Sequence, residues 1–179
     1  MKYLVVDIEA TCWEHNDPDK QFHETIEIGA VLLDENFDIV KSQSFYCRPT
    51  FNTQLTTYCT QLTGIGQANV DNALPFDKAL LEFIQWVGDF SDITLCSWGE
   101  FDKKQLIEDC TRNSCAYPFT QAHINIKQVY LDTLKRHTKG GLQKACRVCG
   151  IHFEGTPHNG RDDAIMAAKI FKMMKAVKD

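Results

Sequence analysis

The sequence predicts an α/β fold: one mixed sheet, a three-strand antiparallel meander plus parallel strands, with helices on both faces. Three observations predict it. Apolar stretches of strand length follow one another through the first 47 residues. Helical and extended patterns then alternate, and a long amphipathic stretch follows the last of them.

Residues 2–9 (KYLVVDIE), 25–33 (TIEIGAVLL) and 39–47 (IVKSQSFYC) read as strands. Asp34-Glu35-Asn36 is turn chemistry, so the second and third strands pair as a hairpin, and Arg48-Pro49 ends the meander. A short helical stretch over 54–62 leads to Thr63-Gly64-Ile65-Gly66 and a polar segment. Apolar residues at 76, 79, 80, 83, 84 and 87 repeat with a period near 3.6 and mark a helix. Residues 92–98 (DITLCSW) read as a strand, 101–110 as a helix and 122–126 as a short strand. Helices over 127–136 and 142–149 follow, the second closed by Gly150 as a C-cap. The last helix is expected over 161–177, with apolar residues at 165, 167, 168, 170, 171, 174 and 177. No repeat, low-complexity tract or linker divides the chain, so 1–179 reads as a single domain.

At 44% apolar and 24% charged, the 179 residues exclude a disordered, collagen-like or coiled-coil chain. No apolar run approaches the ~20 residues of a membrane helix. Met1-Lys2 passes straight into a short apolar run and an acidic residue, without a secretory h-region, so a cytoplasmic protein is expected. The eight cysteines are scattered and read as thiols. Charge is unevenly placed: residues 1–102 carry 5 Lys/Arg against 17 Asp/Glu, and residues 103–179 carry 14 against 7. That asymmetry suits an acidic metal pocket with a basic rim, and equally a solvated charged surface.

Three constellations carry chemistry. Asp7 and Glu9, two apart on a strand, share a face beside an apolar run. Buried together they repel, which raises their pKa values or requires a cation; a strand end emerging into solvent is the bland alternative. Asp102 follows Cys96-Ser97-Trp98 near a helix start, where the helix dipole favours an Asp in any case. His158-Asn159-Gly160-Arg161-Asp162-Asp163 leads into the last helix. Asp162 and Asp163 lie about 100° apart there, so one of the two faces a shared site, with simple capping as the alternative. Together these oxygen donors suit Mg²⁺ or Mn²⁺. Paired ions of this kind cleave phosphodiesters, with a His available as general base.

Asp-x-Glu on the first strand, an Asp after Trp-Gly, and His-x-x-x-x-Asp at the last helix resemble the DEDDh (DnaQ-like) 3′→5′ exonuclease superfamily, which has a ribonuclease H-like fold. The likeness runs from about residue 2 to residue 177. Finer stretches, DIEATCWE (7–14), IEIGAVLLD (26–34), YCTQLTGIGQANVDNA (58–73) and SWGEFD (97–102), resemble its Eri-type branch and KapD-like bacterial relatives. The resemblance implies that Asp7, Glu9, Asp102 and Asp163 hold two Mg²⁺ or Mn²⁺ ions and that His158 is the general base. It leaves Asp162 as a helix charge. It further implies that Ala10 and Thr11 offer backbone amides to the terminal nucleotide. Trp98 would lie by the base or sugar and Ile65 would wedge at the pocket, against the alternatives of a core tryptophan and simple loop packing. Lys103, Lys104 and Arg161 are candidate backbone contacts. The expected activity is release of 5′-mononucleotides from single-stranded 3′ ends, RNA favoured over DNA. A DNA or short-oligonucleotide exonuclease, or a non-catalytic RNA-binding module on the same fold, are the alternatives. The CxxC at Cys146–Cys149, with His152 nearby, lacks a second ligand pair for zinc. Thr63-Gly64-Ile65-Gly66 follows a helix rather than the first strand, so it is not a dinucleotide loop.

Overall fold

In the computed structural model, residues 2–135 and 140–177 are described. The meander consists of β1 (Lys2–Ala10), β2 (Thr25–Leu33) and β3 (Ile39–Arg48), each antiparallel to the next. A crossover follows through α1 (Thr57–Thr63), α2 (Gln67–Asp71), the two-residue β4 (Leu74–Pro75) and α3 (Phe76–Val87). β5 (Ile93–Ser97) then lies parallel to β1, and α4 (Phe101–Arg112) follows it. β6 (Ile124–Asn125) adds parallel to β5 before α5 (Ile126–Thr133), α6 (Leu142–Val148) and α7 (Gly160–Ala176). The strand order is β4-β3-β2-β1-β5-β6, the mixed sheet that the sequence predicts.

Strand periodicity divides the core in two. Leu4, Val6 and Ile8, with Ile28, Ala30 and Leu32, meet α3 and α4 through Phe83 and Leu106. Val5, Val31 and Leu33 face the other way, onto Ile126 of α5, Cys146 of α6 and the Ala167, Phe171 and Met174 face of α7. β2 lies between two neighbours and under helices on both sides, so all nine of its residues are buried. Asp7 and Glu9 share the parity of Val5, which turns them toward α7.

Several boundaries differ from expectation. The polar segment after Gly66 contains α2, a five-residue helix too short and too polar to show a periodicity. The strand expected over 122–126 pairs only at Ile124–Asn125. The helix expected over 127–136 ends at Thr133, and its last position, Arg136, lies outside the described residues. Gly150 stands one residue beyond the cap of α6, with φ 67. On α7 the buried stripe includes Ala164 and Met166, and Ile165 is only partly covered. Ala164, Ala167 and Ala168 are buried there together with the larger Met166, Ile170 and Phe171. All eight cysteines are thiols. Among the described residues, no helix is long and apolar enough to cross a membrane.

Candidate active site

β1 carries Asp7 and Glu9 just past the end of its pairing with β5 at Val5, where β2 alone still pairs with the strand. Between them, the Ile8 amide donates to Asp102 Oδ1 at 2.9 Å, which ties the first turn of α4 to the strand. Asp102 is buried, and beside it the hydroxyl of buried Ser97 donates to Gly99 O at 3.0 Å. Ser97 Oγ is in turn met by His123 Nε2 at 2.9 Å. α7 supplies the remaining groups. Its N-cap, Asn159, accepts from the Asp162 amide at 3.1 Å. Asp162 turns away to accept the Thr156 amide at 2.9 Å, with Arg161 Nη2 3.4 Å from its other oxygen. Asp163 faces inward: Oδ2 accepts the His158 amide at 3.2 Å, and Oδ1 is buried with no hydrogen-bond partner. His158 itself is exposed and holds φ 62, the left-handed region that non-glycine residues enter at a cost.

Asp7, Glu9, Asp102, His158 and Asp163 thereby line one cleft of about 300 Å³, with Trp98, Phe101 and Leu142 on its walls. One ligand atom each from Glu9, His158 and Asp163 lie within 4.8 Å of one another.

The start of α7 is fixed by two residues to which the sequence reading assigns no role at the site, Glu27 and Gly29. Glu27, wholly buried on β2, accepts the Gly160 amide at 3.1 Å and the Ser44 hydroxyl at 2.6 Å. Gly29 lies so close to the helix that a Cβ there would stand 1.9 Å from Gly160 C. Both residues lie in the IEIGAVLLD stretch, which reads as a strand and as part of the family resemblance but not as holding the last helix. The available signal was a carboxylate set within a nine-residue apolar run.

Burial is the main force on the carboxyl groups, and their mutual repulsion adds to it. The Asp7 carboxyl is held well above the usual range by desolvation, then by Asp102 and Glu9. Glu9 is pushed up to about 8 by burial, then by Asp163 and Glu27. Burial raises Asp102 against the opposing pull of the Ile8 amide. Asp163 is pushed up to about 6, again by burial first, while the His158 amide pulls the other way. An all-carboxylate cluster with an unpartnered buried oxygen fits a hard divalent cation, which would relieve the repulsion and occupy that oxygen.

The expected substrate contacts fare unevenly. The Thr11 amide is already given to Glu24 O at 2.8 Å, and Thr11 Oγ1 accepts the Glu24 amide at 2.9 Å, so that amide is not on offer. Ala10 is buried at the end of β1, its carbonyl accepting from Cys59 Sγ at 3.6 Å. Ile65 packs with Ile26, Cys59 and Val70 at 3% exposure, so it does not reach the cleft as a wedge. Trp98 lines the cleft with its ring 5.7 Å from that of Tyr130, and its Nε1 is buried without a partner. Phe101, which sequence reasoning passed over, is 48% exposed on the same wall and offers the freer aromatic face.

A family model described as an exonuclease, RNase_T, matches residues 4–171. The human 3′-5′ exoribonuclease 1 is 34% identical over 175 residues, covering 93% of this chain, which spans 50% of that protein's length. The probable 3′-5′ exonuclease KapD of Bacillus subtilis is 30% identical, with 98% of this chain and 85% of KapD covered. Among solved structures, the nuclease domain of 3′hExo, a DEDDh family member bound to rAMP, superposes with a TM-score of 0.89 at 33% identity. It covers 98% of this chain and 92% of that one.

Proposed function

The chain belongs to the RNase_T exonuclease family, and from that premise we propose that it is a 3′→5′ exonuclease. It removes 5′-mononucleotides from single-stranded 3′ ends as one exonuclease domain, RNA being favoured over DNA. One observation carries the reading: four carboxylates and a histidine, drawn from stretches about 90 and 150 residues apart, line a single cleft.

DEDDh exonucleases depend on divalent metal, and the oxygen-rich set of Asp7, Glu9, Asp102 and Asp163 fits two Mg²⁺ ions, with Mn²⁺ as the substitute. When bound, such ions neutralise charge at the scissile phosphate and activate the attacking water. The chain's own groups do the rest. The exposed imidazole of His158 takes the proton of that water, and its place just before α7 is set by the Asn159 cap and by the bond from its amide to Asp163. Asp102 is held in place by the Ile8 amide. Phe101 and Trp98 flank the terminal nucleotide, and stacking there is tolerant of base identity. The preference for RNA is supported by the relatives named exoribonucleases and by the rAMP held by a structural neighbour. The eight thiols suit a reducing compartment such as the cytoplasm.

The test uses 5′-labelled single-stranded RNA and the matching DNA, each with Mg²⁺, Mn²⁺ or EDTA, and a His158→Ala control. The expected result is a metal-dependent ladder shortening from the 3′ end, faster on RNA and lost in the control. Binding without cleavage under every ion would overturn the reading in favour of a non-catalytic RNA-binding module.

A further inference from the structure

Outside the cleft, a set of aromatic rings is held rigidly and left in water. His23 stands 5.9 Å from Phe101 at the cleft wall, and Trp13 is 5.8 Å from His23. Phe22, the residue before His23, meets Phe51 edge to face at 5.4 Å. Phe22 is 42% exposed and Phe51 64%. The guanidinium of Arg112 lies 4.3 Å over the Phe22 ring centre.

The backbone beneath these rings is firmly fixed. Buried Glu24 accepts the amides of Thr50, Phe51 and Asn52, at 2.8, 3.1 and 2.6 Å. Asn52 Nδ2 donates back to Phe22 O at 3.0 Å. Two side chains of α4 close the other side: Gln105 Nε2 and Arg112 Nη1 donate to His23 O at 3.0 and 3.3 Å. A buried carboxylate thus orders two segments 28 residues apart, and the rings they present stay partly exposed, Phe22 beneath Arg112 and Phe51 the more open. Anchored apolar faces of this kind mark an interaction surface.

Continuity with the cleft decides what covers them. Through His23 the patch joins Phe101, which belongs to both. A strand with its 3′-terminal nucleotide in the cleft can leave along α4, past Phe101 toward Arg112. Every base has a π face, so exposed rings hold such a strand regardless of sequence, and Arg112, stacked on Phe22, backs that ring. We propose that Phe22 and Phe51, joined to the cleft through His23, form a stacking platform for the single-stranded segment 5′ of the terminal nucleotide. The proposal rests on the exonuclease reading and adds to it a dependence on length: an oligonucleotide too short to reach Phe22 gains nothing from the platform.

The test compares wild type with a Phe22→Ala/Phe51→Ala double variant. Affinity is read by fluorescence anisotropy on a 5′-labelled single-stranded 10-mer in Ca²⁺, and turnover on a dinucleotide in Mg²⁺. The expected result is 10-mer binding weakened roughly 10- to 100-fold, with dinucleotide turnover unchanged. A Phe22→Trp/Phe51→Trp variant should restore 10-mer binding, which a merely misfolded alanine variant would not explain. Unchanged 10-mer affinity, or equal losses on both substrates, would overturn the platform. So would a wild-type dimer that the alanine variant dissociates, which would assign the patch to a second copy of the chain. A wild type that cleaves neither substrate yet binds the 10-mer through these rings would overturn the exonuclease reading and keep the platform.

Discussion

Replacing Gly29 with alanine tests how the start of α7 is held. The new Cβ would lie 1.9 Å from Gly160 C, 2.2 Å from Arg161 N and 2.3 Å from Gly160 O. All three are backbone atoms, so no side chain can swing aside. Ordinary contact begins near 3.4 Å, so the helix start must withdraw by about 1.5 Å. Such a shift stretches the 3.1 Å bond from the Gly160 amide to Glu27 and leaves a buried carboxylate oxygen unsatisfied. Overpacking costs about 1–3 kcal/mol, and losing a hydrogen bond to a charged group about 1.5–3 kcal/mol. For a chain of this size that combination lowers the melting temperature by roughly 5–20 °C. His158 and Asp163 move with the helix, and a misplacement of about 1 Å costs on the order of 10²-fold in rate. The assay is a thermal melt beside 3′→5′ exonuclease turnover at saturating Mg²⁺, at a temperature where the variant is folded. A Gly29→Ala protein melting within about 2 °C of wild type and cleaving within about threefold of it would refute the reasoning.

Metal-free protein should lose stability as pH rises from about 5 to 8. In that window the unfolded chain has already released the Glu9 and Asp163 protons, while the folded chain still holds them up to about 8 and about 6. Urea melts in EDTA should show a decline of a few kcal/mol, flattened by saturating Mg²⁺ and reduced in Glu9→Gln; stability that rises over the window would contradict the assignment. Asp102→Ala and Asp163→Ala should each lower turnover by at least about 10³-fold while remaining folded, checked by circular dichroism and single-turnover cleavage. Glu27→Gln keeps the size of the side chain and one acceptor oxygen. It should cost about 1–3 kcal/mol and raise the Mg²⁺ concentration needed for half-maximal rate, read from a metal titration.

Legibility in the sequence followed the range of the interactions. The helix over Phe76–Val87 shows its period in its own residues, and the strand over Thr25–Leu33 is bounded by its own apolar run, so both are found where they were expected. The five acidic and histidine positions stood out because polar groups interrupt or adjoin apolar segments, and the structure brings them to one cleft. What was not legible depends on distant partners. The role of Glu27 requires knowing that Gly160, 133 residues on, comes to lie over it. The commitment of the Thr11 amide depends on the return of Glu24 alongside it, and the burial of Ile65 on Val70 in a helix with no visible period. Phe101 was missed because an aromatic at a helix start looks like core until its neighbours leave it uncovered.

That the cleft draws on both β1 and α7 also sets a clock on synthesis. At the ~5–20 residues per second of a ribosome, Asp7 and Glu9 are in the chain roughly 8–30 s before Asp163. Through that interval the nascent protein carries a strand of mutually repelling carboxylates but neither His158 nor the helix that turns Asp163 inward. On the proposed exonuclease reading, cleavage therefore waits until α7 has emerged and docked.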